Sequence, residues 1–229
     1  MWIFVSYNRP ERCRHALKSM VDAGLSTPGK LIVNGAKHEE YAEIGLPPDW
    51  ERIHLPENLG LCGALNWSLC QFPHEPWYGT PTDDDEVYTH GFDKTLIEAA
   101  GSWCISHAND HWQSQSRLWS YCTYGGDLLR TIGQWFPDGL WHYYADDLYE
   151  CIVRELGNRR WCKQINTAHK HHYAGTAPDD HTYQTGRSRW GEDSARFESW
   201  KSNEWQTLRE KLKTVIPQEF QKPIENAFQ

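Results

Sequence analysis

Paired cysteines and an excess of basic residues are both missing from this 229-residue sequence. The seven cysteines are an odd number and none has the C-x-x-C spacing, which argues against a zinc ribbon or a disulfide framework and favours reduced thiols. Lys and Arg total 23 against 31 Asp and Glu, giving a formal net charge of -8. This balance excludes a uniformly basic nucleic-acid coat protein and a polybasic membrane binder.

Long hydrophobic runs are also absent. No stretch approaches the roughly 18 apolar residues that a membrane span requires. The short apolar segment 2–5 has neither a basic leader nor a small-residue cleavage site, so a secretory signal is not predicted. We therefore expect a cytoplasmic protein without a membrane span.

Aromatic residues are abundant, with 13 Trp, 11 Tyr and 7 Phe. This content favours an ordered chain whose core draws heavily on aromatic side chains. The length is typical of one large domain or two small ones and is sufficient for an enzyme.

Short apolar strands alternate with helical segments from the start of the chain. The predicted strands are residues 2–6, 31–33, 52–55, 75–80 and 103–106. The predicted helices include residues 10–23, 38–44, a segment from 61 to 69 and residues 146–156. This order predicts an α/β protein whose ligands bind beyond the carboxyl ends of parallel strands.

The last part of the chain has a helical pattern of its own. Its apolar residues fall on one approximate helical face: Phe197, Trp200, Leu208, Leu212 and Val215. We expect this face to pack against the rest of the molecule. The sequence is therefore divided into a domain over residues 1–185 and a C-terminal helical extension over residues 186–229.

Four consecutive acidic residues, from Asp83 to Glu86, follow a predicted strand. Crowded carboxylates repel one another unless a cation neutralises them, and oxygen ligands suit magnesium, manganese or calcium. A solvated acidic loop is the alternative. The spacing excludes an EF-hand.

Three histidines lie close together at His169, His171 and His172. In an extended segment, His169 and His171 point to the same side, so one of them could complete a metal site. The alternative is a surface histidine cluster with no ligand.

Two acidic residues, Asp146 and Asp147, stand at the start of a predicted helix. They could simply cap the helix and interact with its dipole. Alternatively, a carboxylate held there near a cleft could act as a general base towards an attacking hydroxyl.

The order of these motifs resembles the family 2 type of nucleotide-sugar glycosyltransferases with the GT-A fold. The matching segments are residues 5–11, residues 56–60, Asn66, residues 83–85, residues 145–147 and His169. The resemblance implies a Rossmann-like, mixed and mainly parallel sheet flanked by helices, in a single domain followed by the helical tail. It also implies a nucleotide-sugar donor, most often a UDP-sugar, and a Mn²⁺ or Mg²⁺ cofactor.

The resemblance further implies roles for individual residues. Donor binding falls to Ser6, Tyr7, Asn8, Arg9, Asn34, Asn58, Gly60, Asn66, Asp83 and Asp84. Metal binding falls to Asp83 and Asp85 of an Asp-x-Asp motif, with His169 or His171 as a further ligand. Asp147 matches the second acid of the catalytic pair, after Asp146, and is predicted to be the base of an inverting reaction. Asn34 departs from the family, which often has Asp there.

The resemblance implies a hydroxyl acceptor that the sequence does not identify, with a carbohydrate and, as second choice, a hydroxymethylated DNA base as candidates. Basic residues gather late in the chain and could serve a phosphate-bearing acceptor or balance nearby acids: Arg154, Arg159, Arg160, Lys163, Lys170, Arg187 and Arg189. Tryptophans near the motifs could stack on sugars or bases or belong to the core: Trp103, Trp112, Trp119, Trp135 and Trp141. Two other functions stay open, a nucleotidyltransferase and a non-catalytic carbohydrate- or nucleotide-binding module.

Overall fold

The computed structural model describes residues 1–36, 38–112, 118 and 121–221. Within them the strands are β1 (Trp2–Ser6), β2 (Gly29–Asn34), β3 (Trp50–Leu55), β4 (Trp77–Thr80), β5 (Asp85–Val87), β6 (Ile105–Asn109), β7 (Cys122–Gly125) and β8 (Arg159–His169). The helices are α1 (Pro10–Asp22), α2 (His38–Ala42), α3 (Gly60–Gln71), α4 (Phe92–Ala100), α5 (Gly126–Ile132), α6 (Ala145–Leu156), α7 (His181–Ser188), α8 (Trp190–Asn203) and α9 (Trp205–Val215).

The strands form one mixed sheet in the order β3-β2-β1-β4-β7-β6-β8-β5. β1 runs parallel to β2 and β4, β2 is parallel to β3, and β6 is parallel to β8. The pairs β4–β7, β6–β7 and β5–β8 are antiparallel. The predicted α/β class, with a mixed and mainly parallel sheet flanked by helices, is confirmed. Because β1, β2 and β4 run the same way, the residues that follow them meet at one edge.

Both faces of the sheet are covered by apolar side chains. Alternate residues of a strand point to opposite faces, and in β1 Trp2 and Phe4 belong to one buried cluster while Ile3 and Val5 belong to another. All four are at most 8% exposed. This two-sided burial explains why the central strands read as continuous apolar runs rather than as alternating patterns.

The sequence does not predict β5, β7 or β8, and it places the start of β6 two residues early. β8 is rich in charged and polar residues, and only a few of its side chains, such as Cys162 and Ile165, are buried. Its pairing partners come from distant parts of the chain. The hydrophobic pattern that identifies β1 to β3 is therefore weak in β8.

Side chains of the tail pack against the rest of the molecule. Trp200, Leu212 and Phe197 join the larger buried cluster, whereas Val215 is 45% exposed and lies off the packed face. The predicted boundary between residues 185 and 186 falls inside α7, which runs without interruption from His181 to Ser188. Of the helices in the described residues, none has the length and apolar character needed to cross a membrane.

Candidate active site

The acidic run forms a tight turn between β4 and β5. The Asp85 amide donates to the Thr82 carbonyl at 3.2 Å. The Thr82 hydroxyl is shared between two carboxylates, lying 2.6 Å from Asp84 Oδ1 and 2.9 Å from Asp85 Oδ2. The Thr82 hydroxyl thus links the carboxylates of Asp84 and Asp85 within the turn.

Asp84 and Asp85 form a compact group with His169. Asp85 and His169 are directly paired across β5 and β8, and His169 Nδ1 lies 2.8 Å from Asp85 Oδ1. One ligand atom from each of the three residues lies within 4.8 Å of the other two. Two carboxylates and one imidazole are a donor set that suits Mn²⁺ and also accommodates Mg²⁺.

The charges of this group are strongly coupled. Burial opposes a positive charge on His169, but Asp84 and Asp85 outweigh it and raise the pKa of His169 to about 9. Burial also opposes the charge of Asp84, yet His169 and Arg9 hold the pKa of this carboxyl well below its ordinary value. The protonated imidazole therefore supplies the positive charge that the paired carboxylates require in this structure.

Asp83, predicted from the sequence as a metal ligand, lies outside this group. Its carboxylate accepts a hydrogen bond from Ser6 Oγ at 2.7 Å and one from Arg9 Nη1 at 3.1 Å. Burial raises the pKa of Asp83 to about 6, although the Arg9 guanidinium opposes the shift. Asp83 therefore fixes the residues that follow β1, and Asp84 takes the place in the cluster that the sequence gives to Asp83.

His171 also stands outside the cluster, beside His169. The two rings are stacked, with centroids 5.3 Å apart. The Nδ1 atom of His171 accepts the Tyr173 amide at 3.2 Å, which leaves this nitrogen engaged within the chain. Of the two candidate histidines, the described geometry groups His169 with the carboxylates.

A small cavity of about 100 Å³ opens beside the cluster at the ends of β1 and β2. Seven of the predicted donor-binding residues lie along its wall: Tyr7, Arg9, Asn34, Asn58, Gly60, Asp83 and Asp84. Trp141 and His142 form another part of the wall, and α7 contributes Thr182 and Tyr183. The structure therefore brings most of the predicted donor-binding set together.

Helix α7 closes over this cavity through contacts that the sequence does not predict. Asp180 caps the helix and accepts two hydrogen bonds from Arg9, at 2.9 Å from Nε and 2.8 Å from Nη2. The Arg9 guanidinium also lies 4.0 Å from the centre of the Tyr183 ring. Tyr183 in turn donates to Asp84 Oδ2 at 3.0 Å. An acidic residue before a helix is a recognisable cap signal, but its partner lies 171 residues away.

Asn34 organises the wall of the cavity from inside. Its amide nitrogen donates to Asn58 Oδ1 and to the Gly60 carbonyl, both at 3.0 Å, and its oxygen accepts the Leu59 amide at 2.9 Å. Gly60 has φ of +71°, and a Cβ there would lie 2.6 Å from Trp141. The asparagine therefore holds the loop that leads into α3, and glycine is required where that loop meets Trp141.

Three other predicted donor residues have different surroundings. Ser6 is buried and reaches the site only through its bond to Asp83. Asn8 is exposed with φ of +54°, a conformation that asparagine tolerates. Asn66 does not line this cavity. Its side-chain oxygen accepts hydrogen bonds from the backbone amides of Trp135 and Phe136 at 2.9 and 2.8 Å.

A larger cavity of about 210 Å³ adjoins the first and shares Thr82, Asp84, His142 and Tyr183 with it. Its walls are mostly apolar. The carboxylates and imidazoles among its described lining residues are those of Asp84, Asp85, His142, Asp146, His169 and His171. Asp146 comes from the first turn of α6. Asp147, the acid that the sequence favours as a base, is not part of the described wall.

The late basic residues are largely engaged by nearby acids. The pairs are Arg154 with Glu150 at 2.7 Å, Lys170 with Glu86 at 3.5 Å, Arg187 with Asp179 at 2.6 Å and Arg189 with Glu192 at 2.9 Å. This supports the charge-balancing alternative of the sequence analysis over a continuous phosphate-binding surface.

The tryptophans have mixed surroundings. Trp135 is fully buried, and Trp141 lines the smaller cavity. Trp112 is 40% exposed and its ring lies 6.1 Å from that of His169. Trp103 packs against the larger buried cluster, and Trp119 lies outside the described residues.

Comparison with known proteins rests on structure rather than on sequence, because no family model and no curated protein sequence matches the chain. S. aureus TarS is similar with a TM-score of 0.55 and 12% identity, over 74% of this chain and 36% of that one. GalNAc-T7, solved with UDP, GalNAc and Mn²⁺, has a TM-score of 0.55 and 8% identity, over 73% of this chain and 42% of that one. The chain has a GT-A glycosyltransferase fold.

A third GT-A structure resembles the chain over more of its own length. Glucosyl-3-phosphoglycerate synthase from Mycobacterium tuberculosis, solved with Mn²⁺, UDP and glucosyl-3-phosphoglycerate, has a TM-score of 0.53 and 12% identity, over 74% of this chain and 71% of that one. By contrast, the chain spans well under half the length of TarS and GalNAc-T7. The predicted GT-A fold is thereby confirmed.

Proposed function

We propose that the protein is a metal-dependent glycosyltransferase that moves a sugar from a UDP-sugar to a hydroxyl acceptor. The observation that carries the proposal is the group Asp84, Asp85 and His169, which lies at the junction of two adjoining cavities in a GT-A fold. Structures of similar fold have been solved with UDP and Mn²⁺, which supports the choice of nucleotide and cation.

The three clustered residues would hold Mn²⁺ or Mg²⁺. When bound, the cation would act as a Lewis acid that neutralises the negative charge developing on the departing diphosphate. The chain prepares this site by keeping Asp84 ionised through Arg9 and Tyr183. His169 must give up its proton to act as a ligand, and Asp85 orients its ring.

The smaller cavity is the proposed site of the nucleoside part of the donor. Arg9 lies on its wall and is fixed between Asp83 and Asp180, which balance its charge within the chain. Asn34 shapes the loop around the base through neutral hydrogen bonds. The nucleoside would therefore be recognised by the shape and hydrogen-bonding groups of the wall.

Asp146 is the proposed catalytic base, in place of Asp147. Asp146 shares the larger cavity with Asp84, Asp85 and His169. There it would accept the proton of the acceptor hydroxyl while that oxygen forms a bond to the anomeric carbon and the bond from this carbon to the diphosphate breaks. Attack from the side opposite the leaving group inverts the configuration at this carbon.

The acceptor of the proposed reaction is a carbohydrate hydroxyl, with a hydroxymethylated DNA base as the second choice. The local pairing of Lys170, Arg187 and Arg189 with acids reduces the charge available for a DNA backbone. A panel that includes both acceptor classes separates them directly.

The test is release of UDP from a panel of UDP-sugars, with and without Mn²⁺, by the unaltered protein and three variants. We expect Asp85→Asn and Asp146→Asn each to reduce turnover by at least about 100-fold, a typical contribution of a charge stabiliser or a general base. Asp147→Asn is the matched control, an identical change at the next residue, and should stay within about threefold of the unaltered protein.

Each alternative function has its own outcome in this assay. Release of pyrophosphate from a nucleoside triphosphate, without UDP release, would indicate a nucleotidyltransferase. Donor binding without turnover would indicate a binding module. Normal turnover by Asp85→Asn would refute the metal site. Loss of turnover in Asp147→Asn but not in Asp146→Asn would show that Asp147 is the catalytic base.

A further inference from the structure

The segment of residues 141–144 connects the two cavities to the start of α6. Trp141 and His142 line the smaller cavity, and His142 and Tyr143 line the larger one. Tyr144 has φ of +65°, a left-handed conformation, immediately before α6. The position of Asp146 in the first turn of α6 therefore depends on how this segment is held.

Asp193, in the first turn of the tail helix α8, binds the backbone of this segment. Its carboxylate accepts three amide hydrogen bonds, from Trp141 at 2.7 Å, His142 at 3.0 Å and Tyr143 at 2.8 Å. Asp193 is fully buried. Hydrogen bonds to an ionised acceptor are stronger than neutral ones, and removing one partner leaves buried amides unsatisfied.

The same face of α8 contacts the ends of the segment. Arg189, directly before α8, lies 4.5 Å from the centre of the Trp141 ring, and Phe197 stacks on Tyr144 with ring centres 5.1 Å apart. Arg189, Asp193 and Phe197 are spaced by four residues, which places them along one side of the helix. Residues on one face of α8 thus contact residues 141–144 at both ends and in the middle.

We infer that Asp193 is a positioning residue that fixes residues 141–144 and, through them, the place of Asp146 in the larger cavity. Its catalytic consequence rests on the proposed function, whereas its effect on the segment does not. The tail is then part of the machinery that shapes the site, in addition to covering the core.

Asp93 provides a matched control elsewhere in the fold. It is also fully buried, and its Oδ2 accepts hydrogen bonds from the Ser26 amide at 2.8 Å, from Ser26 Oγ at 3.1 Å and from Thr27 Oγ1 at 3.1 Å. None of these residues is on the described wall of either cavity. Asp93→Asn therefore imposes a similar loss of buried charge and hydrogen bonding without touching the segment.

The first measurement is amide hydrogen exchange, followed on peptides that contain residues 141–144. In Asp193→Asn the side-chain amide group faces backbone N–H donors, so we expect exchange in this segment to rise at least tenfold. In Asp93→Asn the segment should exchange as in the unaltered protein, while peptides around Ser26 exchange faster. Unchanged exchange of the segment in Asp193→Asn would overturn the inference.

The second measurement is the kinetics of UDP release, well below the melting temperature of each variant. We expect kcat to fall at least tenfold in Asp193→Asn with a smaller change in the KM for the UDP-sugar, and to stay within twofold in Asp93→Asn. An equal loss of kcat in both variants would show that Asp193 has only a structural role and would contradict the inference. Absence of UDP release by the unaltered protein would contradict only the proposed function. The hydrogen-exchange comparison tests the role of Asp193 in the segment independently of UDP release.

If Asp193→Asn does not fold, Phe197→Leu replaces it in the exchange experiment. This variant keeps an apolar side chain in the core but removes the stacking on Tyr144. A rise of exchange in residues 141–144 supports the role of this helix face, and no rise contradicts it.

Discussion

At the scale of single residues, three consecutive aspartates have three different surroundings. Asp83 is bound by Ser6 and Arg9, Asp84 by Thr82 and Tyr183, and Asp85 by Thr82 and His169. Composition could predict a cation-binding run, but only the turn at Thr82 decides which carboxylates face His169. The sequence therefore identifies the segment of the site, but it does not predict that Asp84, rather than Asp83, lies with Asp85 and His169.

The pKa of His169 gives a prediction about metal binding. Since that pKa is raised to about 9, the imidazole is protonated near pH 7 and must lose its proton when a cation binds. We expect Mn²⁺ binding at pH 7 to release close to one proton, and the apparent affinity to rise as the pH increases towards 9. Calorimetry in buffers with different ionisation enthalpies measures both quantities.

Two histidine variants control this experiment. His169→Gln should weaken Mn²⁺ binding and remove most of the proton release. His171→Gln should keep both, because His171 is outside the cluster. An affinity that stays constant between pH 6.5 and 9 would contradict the assignment of His169.

Other residues of the site could not be predicted because their partners are distant in the chain. Arg9 meets Asp180 across 171 residues, and Asp193 meets Trp141 across 52. Each contact joins two segments that are far apart in the chain. Local motifs contain no information about such a pairing until the fold is known.

At the scale of elements, one residue at the start of α7 has two functions. Asp180 accepts the Tyr183 amide as the helix cap and also pairs with Arg9. Asn is as good a cap as Asp but has no charge, whereas Ala lacks both properties. The two substitutions therefore separate capping from ion pairing.

We expect Asp180→Ala to lower the free energy of unfolding by about 1 kcal/mol more than Asp180→Asn does, the usual contribution of a helix cap. Urea unfolding followed by circular dichroism measures the difference. Equal losses in the two variants would show that the ion pair with Arg9, rather than the cap, stabilises α7 here.

Elements differ in how well the sequence predicts them. β1 and the central part of β2 are apolar runs that end at polar turns, and α1 begins at Pro10, a residue typical of the first helical position. β5 has only three residues and exists because it pairs with β8. A strand that depends on a distant partner has no local signal, so the sequence alone does not predict the edge of the sheet where Asp85 meets His169.

At the scale of the whole molecule, the tail completes the buried core. Trp200, Leu212 and Ile216 are each at most 2% exposed and belong to the same cluster as β1 and α6. Burying side chains of this size contributes about 1.5 to 3 kcal/mol each, which is large against the net stability of a domain.

A chain that ends at residue 188, and so lacks α8 and α9, should lose its cooperative unfolding transition. A chain that ends at residue 221 keeps every described residue and serves as the control. Urea unfolding monitored by tryptophan fluorescence and circular dichroism distinguishes the two. A cooperative transition of normal midpoint in the shorter chain would show that the tail is dispensable for the core.

The position of Asp85 and His169 on the outermost strand pair has a consequence for the order of events in folding. Asp85 and His169 are 84 residues apart and meet only when β5 adds to β8 at the edge of the sheet. Closing so long a loop is slow and follows the assembly of nearer contacts. A cation bound between these residues would stabilise contacts that form after the folding transition state. We therefore expect Mn²⁺ to slow unfolding in stopped-flow experiments and to leave the folding rate nearly unchanged. Asp85→Asn should abolish this effect of Mn²⁺.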